Sequence, residues 1–222
     1  MAIVLAYLCL AYVIVLGFFH PLHRRRAGGD FKAYLRYFGA FFVFFFLVPC
    51  ILLILARGET AGSLGAIGLG AGRPGRGLPL VAVGVPVAIL AGWVGSRDPA
   101  LRDFYPFSKE ALHSVRSFVS FELAYILLYY PAWEFLYRGV LFFPLIPAIG
   151  LVPALGVETL LSTLYHIGHP PSEVLAAAGA GVVFGLLAFW TGSFFYTALL
   201  HAAVGISTDT FVFLRFRERK AG

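Results

Sequence analysis

Charged residues are scarce in this sequence. Asp, Glu, Lys and Arg make up 13% of its 222 residues, whereas hydrophobic residues make up 60%, and the mean hydropathy is +0.86. Soluble globular domains carry roughly 25% charged residues, so this composition counts against that class. Since no stretch is polar enough to form a separate soluble domain, we expect one integral-membrane domain over residues 1–222.

Cysteine and the common signatures of soluble hydrolases are also nearly absent. The two cysteines, Cys9 and Cys50, lie in apolar stretches and predict no disulfide. The sequence has no Gly-x-Ser-x-Gly elbow and no His-Glu-x-x-His motif, and its glycine-rich segment 65–77 lacks a Lys-Ser/Thr ending. These gaps count against an elbow-type serine hydrolase, a zincin and a P-loop protein.

Long apolar runs dominate what is present. A spanning helix needs about 20 mostly apolar residues, and about seven such stretches follow one another with short polar connections. They lie near 2–19, 37–56, 78–94, 118–143, 151–166, 174–190 and 194–214. We therefore predict an all-α, polytopic transmembrane bundle of about seven spans in a lipid bilayer. The Phe-rich run 41–46 is apolar all round, which favours a lipid-exposed helix.

The net charge of +6 could indicate a nucleic-acid partner, but its distribution indicates membrane orientation instead. In an alternating seven-span arrangement, 13 of the 17 basic residues fall on one side, namely Arg24, Arg25, Arg26, Lys32, Arg36, Arg97, Arg102, Lys109, Arg116, Arg215, Arg217, Arg219 and Lys220. Three fall on the other side, Arg57, Arg73 and Arg76, and Arg138 lies within a span. The positive-inside rule then predicts a cytoplasmic carboxyl terminus. We expect a bacterial cytoplasmic membrane and no nucleic-acid partner.

Ionisable side chains within the apolar stretches are the candidates for function, because an unpaired charge in lipid is costly. They are Glu122, Glu134, Arg138, Glu158, His166, His201 and Asp209. Glu122 and Asp209 lie near span ends, where we expect an interfacial position. Glu134 and Arg138 are one helical turn apart and can form an ion pair. Such a pair could act in catalysis or only fix helix packing.

Two histidines, His166 and His201, extend the set. A lone histidine on an apolar helix is more often a packing residue than a catalyst. At about 1.5 Å per residue, however, Glu134, His166 and His201 lie at depths similar enough to form one cluster. A buried carboxylate can act as general base toward water, and imidazoles can ligate a metal or stabilise an oxyanion. These are the ingredients of peptide hydrolysis.

The order of these residues resembles a known family. Glu134-x-x-x-Arg138, then His166, a Thr-Gly-Ser turn at 191–193 and His201 are similar to the motifs of the CPBP (Abi, CAAX-protease-like) family of intramembrane endopeptidases. The resemblance implies a transmembrane helical bundle around a wet cavity. It also implies a glutamic endopeptidase or a metalloendopeptidase acting on a membrane-associated protein or peptide.

The resemblance covers about 105–209 and implies a role for each motif residue. Glu134 would be the water-activating general base, His166 and His201 would support the water or the oxyanion, and Arg138 would be a structural partner. No cofactor is implied with certainty. A divalent metal such as Zn²⁺ is compatible with the family, but no metal ligand is assigned.

Three positions depart from the family pattern. Trp133 stands where the family commonly has the first glutamate of a Glu-Glu pair, Ser162 replaces a phenylalanine, and Gly205 replaces an Asn or Asp. We predict a divergent active branch with a single motif glutamate. The alternative is a non-enzymatic membrane protein, either a carrier or a bacteriocin-immunity or interaction factor, that uses the Glu134–Arg138 pair structurally.

Overall fold

The computed structural model describes residues 2–20, 30–57 and 64–221, and helices account for most of them. We number the helices α1 over 2–19, α2 over 31–57, α3 Pro74–Gly95, α4 Pro99–Phe104, α5 Val115–Ile149, α6 Leu151–Leu164, α7 Pro171–Thr191 and α8 Phe195–Ala221. A 3₁₀ turn, Lys109–His113, precedes α5. No strand occurs in the described residues, so the all-α prediction is confirmed.

Five helices are long and apolar enough to cross a bilayer: α3, α5, α7, Phe31–Leu55 of α2 and Phe195–Lys220 of α8. Two shorter apolar helices, Ala6–Phe19 of α1 and α6, accompany them. Each of the seven predicted stretches corresponds to one of these helices. The polytopic bundle is therefore confirmed, with five helices of full spanning length rather than seven.

Hydrogen bonds between connections show which helix ends meet. The Ser172 hydroxyl donates to Asp98 Oδ2 at 2.6 Å, and the Ser108 hydroxyl donates to Asp30 Oδ1 at 2.6 Å. The start of α2, the α3–α5 connection and the start of α7 therefore share one end of the bundle. We call it the first end.

The glycine-rich connection lies at the opposite end. The Arg73 amide donates to the Thr191 carbonyl at 2.7 Å, and the Ser193 hydroxyl donates to the Gly70 carbonyl at 2.6 Å. This end therefore joins the start of α3 to the α7–α8 turn. The division agrees with the alternating arrangement predicted from the sequence.

The described basic residues follow this division. Arg73 and Arg76 lie at the second end, where both guanidinium groups donate to the Trp190 carbonyl. The carboxyl-terminal part of α8 lies at the first end, because Phe213 stacks on Phe118 near the start of α5 with ring centroids 4.4 Å apart. The predicted basic run 24–26 lies outside the described residues.

The main core is aromatic and joins α2 to α5. Phe38 stacks on Tyr125 with centroids 4.8 Å apart, and Phe41 packs on Tyr129 at 4.6 Å. Phe41 and Phe45 are completely buried, so the prediction that the Phe-rich run is lipid-exposed is wrong for these two. The prediction failed because a helix that is apolar all round has no polar face, so its sequence does not show which side faces lipid and which faces the protein core.

Small residues let α3 pack closely on α8. A Cβ added at Gly92 would overlap Ser207 and the Thr208 backbone, and one at Gly84 would overlap Leu200. Close approach of this kind is how membrane helices gain packing contacts without a hydrophobic driving force. It fixes α8, the helix that carries His201, against the bundle.

Candidate active site

A cavity of about 250 Å³ lies between α5, α7 and α8 and reaches the first end of the bundle. Most of its wall is aromatic or aliphatic. The ionisable residues that line it are Tyr105, Tyr125, Tyr129, Tyr130, Arg138, His166, His169, Glu173 and His201. Among these described lining residues, Glu173 is the only carboxylate.

Glu134 lies behind the cavity wall. Its side chain is 0% exposed, and its Oε1 is 2.7 Å from His201 Nδ1. An ionised carboxylate can only accept a hydrogen bond, so His201 Nδ1 donates, and in the neutral ring Nε2 keeps its lone pair. The His201 side chain is 24% exposed and lines the cavity. The predicted meeting of Glu134 and His201 therefore occurs, with the imidazole as the accessible partner.

Arg138 connects two buried carboxylates. Its Nη1 is 3.4 Å from Glu134 Oε1, and its Nε is 3.3 Å from Glu158 Oε2. All three side chains are almost inaccessible. We call Glu134, Arg138 and Glu158 the inner network. It holds two carboxylates and one guanidinium, and Glu134 is the carboxylate that contacts His201.

Local backbone structure builds this network. Arg138 lies in a π-helical segment, Phe135–Leu141, directly after Glu134, and such segments often occur at functional sites. On α7, a Cβ at Gly185 would overlap Glu158 Oε1. The glycine therefore lets α7 cover the carboxylate.

His166 follows the end of α6 and lines the same cavity. Its Nδ1 donates to the Ser162 carbonyl at 2.8 Å, and its Nε2 is 4.0 Å from Glu173 Oε1. Burial lowers the pKa of His166 to about 4, so the imidazole is neutral at neutral pH. The described polar contacts of His166 are thus with Ser162 of α6 and Glu173 of α7 and not with Glu134.

Trp133 stands between the two histidines. Its indole lies edge-on to both rings, with centroids 5.2 Å from His166 and 6.0 Å from His201. The position that the family commonly gives to a carboxylate is therefore an apolar wall in this chain. Ser162, the second departure, donates its hydroxyl to the Thr159 carbonyl at 3.1 Å.

The sequence predictions missed His169, Glu173 and Tyr105. His169 Nδ1 is 2.9 Å from Glu173 Oε1, and the Tyr105 hydroxyl donates to the same oxygen at 2.5 Å. One ligand atom from each of His166, His169 and Glu173 lies within 4.8 Å of the others. We call these three residues the rim cluster. The spacing His-x-x-His-x-x-x-Glu at 166–173 was the available signal.

Gly205, the third departure, is explained by Tyr130. A Cβ at Gly205 would overlap the Tyr130 hydroxyl, and the Tyr130 ring packs on His201 with centroids 4.9 Å apart. The glycine therefore makes room for a tyrosine that supports His201.

Glu122 and Asp209 lie inside the bundle. Their side chains are 5% and 0% exposed and are close enough to interact electrostatically. The predicted interfacial position concerns depth in the bilayer and stays a prediction, but both side chains are shielded by protein. Nearness to the end of an apolar stretch did not reveal that α5 and α8 pack together there.

Comparison with known families identifies the central part of the chain. A sequence model described as type II CAAX prenyl endopeptidase Rce1-like matches residues 116–207. That segment contains Glu134, Arg138, His166 and His201. The comparisons with curated proteins and with solved structures found no significant match. Residues 116–207 are therefore similar to the Rce1-like family of CAAX-protease-type intramembrane endopeptidases, in agreement with the CPBP resemblance.

Proposed function

We propose that the chain hydrolyses a peptide bond of a membrane-associated protein or peptide inside the cavity between α5, α7 and α8. The observation that carries this proposal is the 2.7 Å contact between buried Glu134 Oε1 and His201 Nδ1. It places an oriented imidazole in the wall of a cavity that is otherwise mostly apolar.

His201 is the general base in this mechanism. A water held in the cavity attacks the carbonyl carbon of the substrate and transfers one proton to His201 Nε2. The imidazolium then gives that proton to the leaving amine nitrogen as the carbon–nitrogen bond breaks. General acid–base catalysis of this kind contributes about 10²–10⁴-fold to a rate.

Glu134 acts through His201 and not directly on the water. Its carboxylate holds the proton on Nδ1 and stabilises the imidazolium that forms, as a buried carboxylate does in a catalytic triad. The sequence prediction gave Glu134 the direct base role. Because the carboxylate is 0% exposed and already bonded to His201, we assign it the positioning role instead.

His166 supports the water in this mechanism. Its Nδ1 proton is committed to the Ser162 carbonyl, so the neutral ring presents only the Nε2 lone pair. A lone pair can accept a hydrogen bond from water but cannot donate one to an oxyanion. We therefore favour the water-supporting role over the oxyanion role for this residue.

The substrate is proposed only at the level of its location. The matching family is described by its action on CAAX prenyl proteins, and a prenylated tail is one candidate for this chain. If the carboxyl terminus is cytoplasmic, as the basic residues predict, the cavity reaches the cytoplasmic end of the bundle. No observation on the described residues favours the carrier or interaction-factor alternative.

A reconstituted cleavage assay tests the proposal. The purified chain is placed in liposomes with two probes, a single-span peptide and a peptide with a prenylated cysteine near its carboxyl terminus. Mass spectrometry in H₂¹⁸O then identifies new carboxyl termini. We expect cleavage of at least one probe and a loss of 10²-fold or more in His201→Gln. His113→Gln, an exposed histidine outside the cavity, is the matched control. Cleavage of neither probe, or equal rates in His201→Gln and the unchanged chain, would contradict the proposal.

A further inference from the structure

We propose that the rim cluster, His166, His169 and Glu173, binds one divalent transition-metal ion of the Zn²⁺ class. Binding itself follows from the geometry of these three residues. The idea that the ion takes part in cleavage rests on the proposed function of the cavity.

The motif carboxylate Glu134 is a poor candidate for a metal ligand. Glu134 Oε1 already contacts His201 Nδ1 at 2.7 Å and Arg138 Nη1 at 3.4 Å. A guanidinium beside that oxygen opposes a second cation. A metal in this cavity is therefore better held by residues away from Arg138.

The rim cluster has the composition and spacing of a metal site. His166 Nε2 is 4.0 Å and His169 Nδ1 is 2.9 Å from Glu173 Oε1, and one ligand atom from each residue lies within 4.8 Å of the others. Two imidazoles and one carboxylate are a ligand set found in catalytic zinc sites, where a fourth position stays open. All three residues line the cavity, so an open position would face it.

Outer contacts already orient two of the three ligands. The Nδ1–H of His166 donates to the Ser162 carbonyl at 2.8 Å, which leaves the Nε2 lone pair free. Tyr105 donates to Glu173 Oε1 at 2.5 Å, while Glu173 Oε2 is buried and accepts no hydrogen bond in the described part of the chain. Metal-bound histidines and carboxylates typically show such supporting hydrogen bonds.

The turn that carries the ligands is held in place. Gly168 adopts φ +96°, a conformation that favours glycine, and Pro171 begins α7. The Ser172 hydroxyl then donates to Asp98 at 2.6 Å. The spacing of His169 and Glu173 is therefore set by a constrained turn and not by a loose loop.

Glu173 provides the cavity with a carboxylate, which the family commonly has at the position of Trp133. The indole of Trp133 packs against both His166 and His201 and offers no acceptor or ligand atom, whereas Glu173 is the one carboxylate among the described lining residues. When bound, a Zn²⁺-class ion lowers the pKa of a coordinated water and acts as a Lewis acid. The three rim residues would hold it at the edge of the cavity, and His166 Nε2 would then support the water as a ligand of the ion instead of by accepting a hydrogen bond.

Metal titration of tag-free protein tests the inference without relying on cleavage. The full chain is purified in detergent, treated with a chelator and titrated with Zn²⁺ by calorimetry, and with Co²⁺ by visible absorption. We expect one equivalent of metal per chain. His169→Ala and Glu173→Gln should each weaken binding at least tenfold, whereas exposed His113→Ala should leave it unchanged. Gel filtration and circular dichroism show that each variant is folded, and Glu173→Asp, which keeps a ligand, should recover part of the affinity.

The possible outcomes separate this inference from the proposed function. Absence of stoichiometric binding, or binding that survives both His169→Ala and Glu173→Gln, overturns the metal site. If cleavage requires Glu173 but the protein binds no metal, Glu173 acts as a metal-free base and the inference is again overturned. His201→Gln should lose cleavage and keep its metal, so metal binding without cleavage by the unchanged chain contradicts only the proposed function.

Discussion

The inner network and the rim cluster flank one cavity but differ in access to it. In the inner network, Glu134 and Glu158 are shut off from the cavity and only Arg138 reaches its wall, where it lies between the two carboxylates. The rim cluster lines the cavity directly and centres on one carboxylate, Glu173. The sequence motif suggests that its residues act together, whereas the structure suggests two different tasks, positioning and contact with the reactants. In the proposed function, the inner network sets charge and orientation, and His201 and His166 contact the reactants.

The sharpest comparison within the inner network is Glu134→Gln against Glu158→Gln. Both changes remove a buried carboxylate beside Arg138, but only Glu134 contacts His201. We expect the rate of cleavage per folded protein to fall by about 10²–10⁴-fold in Glu134→Gln and by less than about tenfold in Glu158→Gln. Initial rates in the liposome assay measure both. Equal losses of cleavage rate in the two variants would mean that both carboxylates only stabilise the fold and that Glu134 has no separate role through His201.

Arg138→Leu tests whether the inner network is held by charge. It leaves two buried carboxylates without their cation, and breaking a buried ion pair costs about 3–5 kcal/mol. Thermal or denaturant unfolding in detergent measures the change. The double variant Arg138→Leu with Glu158→Gln removes one stranded charge and should recover part of the stability. A cost of less than about 1 kcal/mol for Arg138→Leu would show that the guanidinium is not needed to balance the carboxylates.

Gly205→Ala tests the packing that supports His201. The added methyl group overlaps the Tyr130 hydroxyl, and overpacking typically costs about 1–3 kcal/mol. Adding Tyr130→Phe removes the oxygen nearest to the new Cβ and should restore part of the loss. The same unfolding experiment measures both variants, and an unchanged midpoint for Gly205→Ala would contradict the close contact.

Tyr105→Phe makes the smallest expected change and affects the rim cluster alone. It removes the hydrogen bond from Tyr105 to Glu173 Oε1, and a hydrogen bond to a charged group contributes about 1.5 kcal/mol at the low end. We expect a modest shift in the unfolding midpoint. The factor by which Tyr105→Phe changes the cleavage rate should be similar in the unchanged chain and in the Glu158→Gln variant. Glu158 belongs to the inner network, whereas Tyr105 contacts the rim cluster. A strong dependence on Glu158 would show that the two groups are coupled.

The fold could be predicted largely from the sequence because the lengths of the apolar stretches indicate where the membrane helices lie. Seven apolar stretches led to seven apolar helices, and the basic residues separated the two ends correctly where the structure describes them. The failures share one physical cause. Lipid and protein core are both apolar, so hydropathy could not show that Phe41 and Phe45 face inward.

The candidate site could be predicted only in part for a different reason. The spacing of Glu134 and Arg138 predicted their contact, because a helix fixes neighbours one turn apart. The contact from Glu134 to His201 depends on how α5 meets α8, which spacing does not report. Glu173 reaches His166 through a turn closed by Gly168 and the start of α7. Only the three-dimensional structure shows that this turn opens on the cavity.

The imidazole nitrogens of His201 provide the most direct test of how Glu134 works. Selective ¹⁵N labelling of histidine and NMR in detergent or lipid report which nitrogen carries the proton when the ring is neutral, and the His201→Gln spectrum identifies the signal. We predict a proton on Nδ1 and a free Nε2 in the unchanged chain, with this preference weakened in Glu134→Gln. A neutral His201 with its proton on Nε2, unchanged by Glu134→Gln, would contradict the proposed relation between the two residues.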